Sequence, residues 1–287
     1  MKEFFGLAKN ADGGYGFLRE AEGAWSWQHI LFVSLCLALM VALAVWLGLR
    51  NKGKDLATKN KVLIACAFLI DGFELVKIVV LCIRCQDPLH WLYVLPLFLC
   101  SIQLIAIPMA AFCKGRVKSA CLDFVLTFGI LGAVFGTVGA TQNYNAYPVL
   151  SMDNVFSGIT HSISGFASLY IAISGMISMQ KKDFPITLSI LLGFSVAAYI
   201  ANWALDYNYM FLMSHDGTPY SIVWNMVGGS PIFYPLLVVG LFVVYIVLFY
   251  VIYEWLQKRR QQKAASAAAV ETVEPATETV IEEDMAA

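Results

Sequence analysis

Charge is scarce in this chain: Asp, Glu, Lys and Arg make up 14% of its 287 residues, against about 25% in an ordinary soluble domain. Most of its outer surface is therefore not built to face water. Histidine is scarcer still, with four in all. Only His161 falls deep inside an apolar run, which argues against a metal hydrolase, since zinc sites need three or four clustered ligands. The seven cysteines are an odd number and none belongs to a zinc-finger array. Cys82 and Cys85 form an isolated CxxC at one helix end, and most of the others sit in apolar segments, where a thiol behaves as a small hydrophobe. The first 28 residues are polar and mixed in charge, so no cleavable signal peptide is expected. There is no obvious internal repeat of the kind many transporters carry. The last apolar run has no lysine, which excludes a retinal Schiff base there.

What the chain has in abundance is apolar sequence, at 59% hydrophobic residues and a mean hydropathy of +0.70. Runs of 18 or more apolar residues read as membrane spans, and in lipid only a helix satisfies its own backbone groups. Seven spans are predicted: Ile30–Leu49, Val62–Arg84, Trp91–Phe112, Val117–Ala140, Asn154–Met179, Pro185–Leu212 and Ile232–Leu256. Fourteen of the nineteen Lys and Arg lie in the first, third and fifth connections and the C-terminal flank, counting Lys118 at the edge of the fourth span with the third connection. Four lie in the N-terminal segment and the remaining connections, counting Arg84 at the end of the second span with the connection it opens, and Lys77 lies inside a span. The positive-inside rule then places the N-terminus outside and the C-terminus in the cytoplasm. The expected class is all-α, a seven-helix polytopic bundle in a bacterial plasma membrane. Residues 1–29 form an extracytoplasmic segment, 30–256 the bundle, and 257–287 a basic juxtamembrane stretch followed by an acidic tail. The tail, Ala264–Ala287, has too little apolar content to offset its ordering entropy and is expected to be disordered. Gly129, Gly132, Gly136 and Gly139 strip one face of the fourth span of side chains, a device for close helix packing.

Four spans carry polar residues at helical spacing, where side chains three or four apart are neighbours. The second has Asp71, Glu74 and Lys77; the third Pro96, Cys100 and Gln103. The fifth has Ser157, His161, Ser164 and Ser168, and the sixth Ser195, Tyr199, Asn202, Asp206 and Tyr209. At 1.5 Å per residue, Glu74, Cys100, His161 and Asn202 come to similar depths near mid-membrane. Ionisable groups at that depth are costly and generally face a bundle interior or a wet cavity. Singly, each has a bland reading: an ion pair for Glu74 and Lys77, a hydrogen-bonded core residue for His161, packing for Cys100. Convergence at one depth favours a shared site. The residues expected to bind substrate there are Asp71, Gln103, Ser164, Tyr199, Asn202, Asp206 and Tyr209, with no metal, cofactor or nucleic acid involved.

The stretches WLYVLPLFLCSIQL, THSISGFASLY, and NWALDYNYMFL followed by SPIFYPLL occur in an order that resembles the YwaF/TMEM164 family of seven-helix membrane proteins. That family includes an acyltransferase of ether-phospholipid synthesis. The resemblance implies that Cys100 is the acyl-accepting nucleophile and His161 its base, acting on membrane phospholipid or lysophospholipid acyl groups. The chain departs from the pattern at Phe98, where relatives often carry His. Residue chemistry is compatible: an imidazole that takes the thiol proton yields a nucleophile for an ester. Glu74 is then expected to orient His161, and Asn202 or Gln103 to donate to the oxyanion. The rival expectation is a transporter or ion-binding protein using the same mid-membrane polar residues, and a weaker one is a seven-helix sensor.

Overall fold

The computed structural model describes residues 1–11, 13–176 and 179–285, without side chains at 263, 264 and 266–285. It falls into two units, Met1–Phe242 and Val243–Ala287. About 70% of the chain is helical. The strand among the described residues is one antiparallel pair, β1 (Ala8–Lys9) with β2 (Tyr15–Gly16).

Helix α1 (Trp27–Asn51) starts at Ser26, whose hydroxyl accepts from the His29 N–H, and α2 (Leu56–Arg84) starts at Asp55, whose carboxylate accepts from the Thr58 N–H and hydroxyl. Such caps satisfy backbone donors that a helix leaves open at its first turn. Next come α3 (Gln103–Phe112), α4 (Gly115–Thr137), the short α5 (Thr141–Ala146), α6 (Met152–Ser174) and α7 (Phe184–Leu205). The first unit closes with α8 (Ser221–Met226) and the start of α9 (Phe233–Met285). Two helices stop where the backbone turns left-handed, α6 at Gly175 (φ 73°) and α7 at Asp206 (φ 49°). The expected fifth and sixth spans are shortened accordingly; the part of the fifth at residues 177 and 178 lies outside the described residues.

Five helices are long and apolar enough to cross a membrane: Trp27–Asn51, Gly115–Ala146, Met152–Ser174, Phe184–Leu205 and Phe233–Gln262. The expected second span is also one helix of 29 residues, but Asp71, Glu74 and Lys77 interrupt its apolar surface. The expected third span differs most. It runs as a 3₁₀ turn at His90–Tyr93, an irregular stretch through Ile102, and then the ten residues of α3. Pro96 explains the break, because it has no N–H to give and holds Leu95 away from helical geometry.

Helix α4 is the centre of the first unit. Ala120 through Gly129 are buried on every side, and its most extensive partner is α6, followed by α3. Helix α6 also packs along α1 and α2. The N-terminal segment is stitched to the α5–α6 region: the Phe4 carbonyl accepts from Met152 N–H (2.7 Å), Glu22 from Val149 N–H (2.8 Å), and Asn145 from Ala24 N–H (2.8 Å). Beneath it Arg84, ending α2, makes a bidentate pair with Asp153 of α6, both bonds 2.7 Å, and lies over the rings of Phe17 and Tyr147.

In the second unit, Val244, Val247, Leu248, Val251 and Ile252 are exposed along α9, and Arg259 stacks on Trp255 at 3.9 Å. The backbone of α9 continues as helix to Met285 through the segment expected to be disordered. Its alanine-rich start has high helix propensity, and the side chains there lie outside the described residues, Ala265 apart.

Candidate functional site

The break in the third segment is where the chemistry collects. Freed backbone groups must find partners, above all away from water, and here a tyrosine supplies them. The buried Tyr209 hydroxyl donates to the Leu92 carbonyl at 2.6 Å and accepts from the Leu95 N–H at 3.2 Å. Tyr209 is held in turn by Asn202 of α7, whose Oδ1 accepts from the Tyr209 N–H (2.6 Å) and whose Nδ2 donates to its carbonyl (3.0 Å). Phe98 packs among Tyr207, Tyr209 and Phe211, with ring centroids 5.3–6.4 Å apart. The segment after α7 thus clamps the non-helical stretch leading to Cys100.

Cys100 sits in the turn just ahead of α3, half-buried. Its sulfur lies close enough to the His161 imidazole of α6 and to the neighbouring Ser101 hydroxyl to interact with both, and all three residues line one cleft. The His161 Nδ1 lies 2.7 Å from the Ser157 carbonyl and 3.3 Å from the Ser157 hydroxyl. A carbonyl can only accept, so Nδ1 carries the proton and Nε2 keeps its lone pair. That leaves Nε2 as the nitrogen able to take a proton from the thiol. The orienting group expected at Glu74 is therefore the backbone of Ser157, one turn earlier on the same helix. Glu74 instead pairs with Lys77 at 2.6 Å.

Both groups are still part of the site. A cleft is lined by Ile70, Glu74 and Lys77 of α2, by Cys100, Ser101 and Leu104, and by Ser157, Thr160, His161 and Ser164 of α6. The glycine face of α4 makes the room. A methyl at Gly136 would collide with the His161 ring, and one at Gly132 would lie 3.3 Å from the Cys100 Cβ. At Gly129 it would lie 2.7 Å from the Ser164 carbonyl oxygen. Packing was the expectation for this stripe; two of its four members also set the space for the thiol and the imidazole.

Of the residues expected at the site, Cys100, His161, Glu74 and Ser164 share the cleft. Asn202 and Tyr209 are engaged with each other and with the break. Tyr199 bonds the Pro231 carbonyl at 3.2 Å, Asp206 is the exposed left-handed residue ending α7, and Asp71 lies one turn before Glu74 without lining the cleft. Gln103, the first residue of α3, is fully buried, and neither atom of its carboxamide has a hydrogen-bond partner among the described residues. Ser101, Thr160, Ile70 and Leu104 were not singled out from sequence. Thr160 is adjacent to His161 in the chain, but no spacing separates it from the serines that only pack. Cys82 and Cys85 lie at the end of α2 as free thiols, with the Cys85 sulfur 3.6 Å from His90 Nε2. No group of three or more His, Cys, Asp or Glu among the described residues is arranged to hold a metal ion.

Compared with known proteins, the chain matches over residues 24–253 the family model described as the TMEM164 family. No curated protein and no solved structure matches it.

Proposed function

We propose that this chain, which belongs to the TMEM164 family, is a membrane-embedded acyltransferase that carries an acyl group on Cys100. The observation that supports the reading is that Cys100 shares one cleft with an imidazole whose other nitrogen is already committed to the Ser157 carbonyl. The thiol proton moves to His161 Nε2 as the sulfur attacks the carbonyl carbon of a lipid ester, and the carbonyl electron pair moves onto oxygen. Collapse restores the C=O, breaks the bond to the donor alcohol, and returns the proton from Nε2 to the departing alkoxide. A Cys100 thioester and a lysolipid remain. Attack by an acceptor hydroxyl, its proton taken by the same nitrogen, releases the acylated product and the free thiol. The Ser101 N–H ahead of α3 has no partner among the described residues and suits a developing oxyanion.

In this reading the membrane is crossed seven times, by α1, α2, the broken third segment, α4, α6, α7 and α9, with the N-terminus outside. The support is the placement of non-helical backbone in the interior of the first unit, where Leu97 and Ile102 are buried, and the sidedness of Lys and Arg. The decisive experiment incubates the purified chain with acyl-labelled phosphatidylcholine and seeks a hydroxylamine-labile adduct by intact mass and peptide mapping. An adduct on Cys100, absent in C100A and slowed in H161A, supports the reading; lysolipid conversion undiminished in C100A ends it.

A further inference from the structure

Gln103 presents a problem that the transfer reaction resolves. A carboxamide has two N–H donors and an acceptor oxygen, and buried polar groups in folded proteins are almost always partnered. Here the residue is 0% exposed, and both Nε2 and Oε1 lack a partner among the described residues. Its place is informative. It opens α3, its N–H bonds the Cys100 carbonyl at 3.3 Å, and a separation of three residues puts it on the Cys100 side of the helix. Helical side chains lean toward the helix N-terminus, and the turn that holds Cys100 lies at that end of α3; Gln103 itself sits behind the residues that line the cleft. The other amide considered from sequence, Asn202, has both ends engaged with Tyr209. The Ser101 N–H, between Cys100 and α3, has no partner among the described residues and is a second donor beside the nucleophile.

We infer that the Gln103 carboxamide is the side-chain donor that holds the acyl carbonyl oxygen as negative charge develops on it during transfer to Cys100. The inference rests on the Cys100–His161 reading and adds a catalytic residue to it. An amide left open in the resting protein engages fully only when the tetrahedral oxygen arrives, and interactions made mainly in the transition state raise kcat rather than affinity.

The test uses the full-length chain with acyl-labelled phosphatidylcholine, reading the rate of Cys100 thioester formation against donor concentration, together with thermal unfolding. Q103M fills the same space without polar atoms, and Q103E keeps the shape while losing the amide donors. Removal of one such donor in other enzymes lowers kcat by about 10²–10³-fold, and that loss is expected for both variants with KM changed little. Q103M should also unfold no earlier than wild type, because it removes an unpaired polar group. Thioester formation by Q103M or Q103E within threefold of wild type overturns the inference. So does a lowered unfolding temperature of Q103M, which would mean that the amide is already satisfied in the resting protein. Absence of an adduct on the wild-type chain strikes the Cys100–His161 reading itself, and the inference falls with it.

Discussion

Gly136→Ala puts one methyl group where α4 passes beneath His161. The added carbon would overlap the Cδ2–Nε2 edge of the ring and come within 2.8 Å of Cε1, where ordinary contacts begin at 3.4 Å. The ring must therefore withdraw by at least about 0.6 Å at its far edge, and by more at Nε2. Nε2 is the atom that has to reach the thiol. A misplacement near 1 Å at a reacting group costs about 10²-fold in rate, or about 2.7 kcal/mol of barrier. The fold should tolerate the change, because Ala is favoured over Gly within a helix by about 1 kcal/mol and the clash falls on a side chain rather than on backbone. The assay is single-turnover acylation of Cys100 by labelled phosphatidylcholine, with size-exclusion and unfolding profiles as controls for folding. A well-folded G136A that acylates within threefold of wild type would refute the assignment of His161 as the base. Gly129→Ala supplies the contrast, since its methyl meets the Ser164 backbone oxygen: expression and unfolding temperature should fall there before activity per folded molecule does.

Three further outcomes are expected. Tyr209→Phe strands the Leu92 carbonyl and the Leu95 N–H, at about 1–3 kcal/mol for buried unpaired groups; maleimide labelling of Cys100 should show the turn loosening while α1 and α6 keep their hydrogen-exchange protection. Arg84→Met leaves Asp153 unpaired where both side chains are about 10% exposed, so thermal unfolding should register about 3–5 kcal/mol, and R84M/D153L should recover most of it. The hydrogen bonds from Thr58 hold the Asp55 carboxyl below its ordinary range. Its capping contribution is full above the unfolded-state value and disappears as pH falls through the lower folded one. Hydrogen exchange at the start of α2 should quicken over that acid window in wild type but not in D55N.

Sequence alone carried the largely helical class, the apolar spans of α1, α4, α6, α7 and α9, and the convergence of Glu74, Cys100 and His161, because hydropathy and helical spacing register these directly; Asn202, expected at the same depth with them, is engaged with Tyr209 instead. The break before Cys100 was less legible. Pro96 is visible, but a proline within an apolar run marks a kink as readily as a stop, and what keeps this stretch open is a tyrosine more than a hundred residues away. The same distance hid the roles of Asn202 and Tyr209. Their helical stripe looks like a cavity wall in sequence, yet their hydrogen bonds go to backbone. Glu74 was assigned to His161 by analogy with carboxylate-containing triads. A main-chain carbonyl leaves no trace in residue identity, so the part played by Ser157 had no signal to read. Gly132 and Gly136 illustrate the converse: their spacing announced a bare helix face, but not what would occupy it.

The stitching of the N-terminal segment bears on how the molecule is assembled. Phe4 leaves the ribosome long before Met152, the residue whose amide it accepts; at about 5–20 residues per second the wait lasts roughly 7–30 s. Through that interval the backbone of Phe4 and the carboxylate of Glu22 have only solvent or transient neighbours. This segment therefore cannot lock until the residues around Met152 have followed it. A bulky fusion placed there, or a slow step in delivering α6, would catch the protein with its earlier helices laid down and this latch still undone.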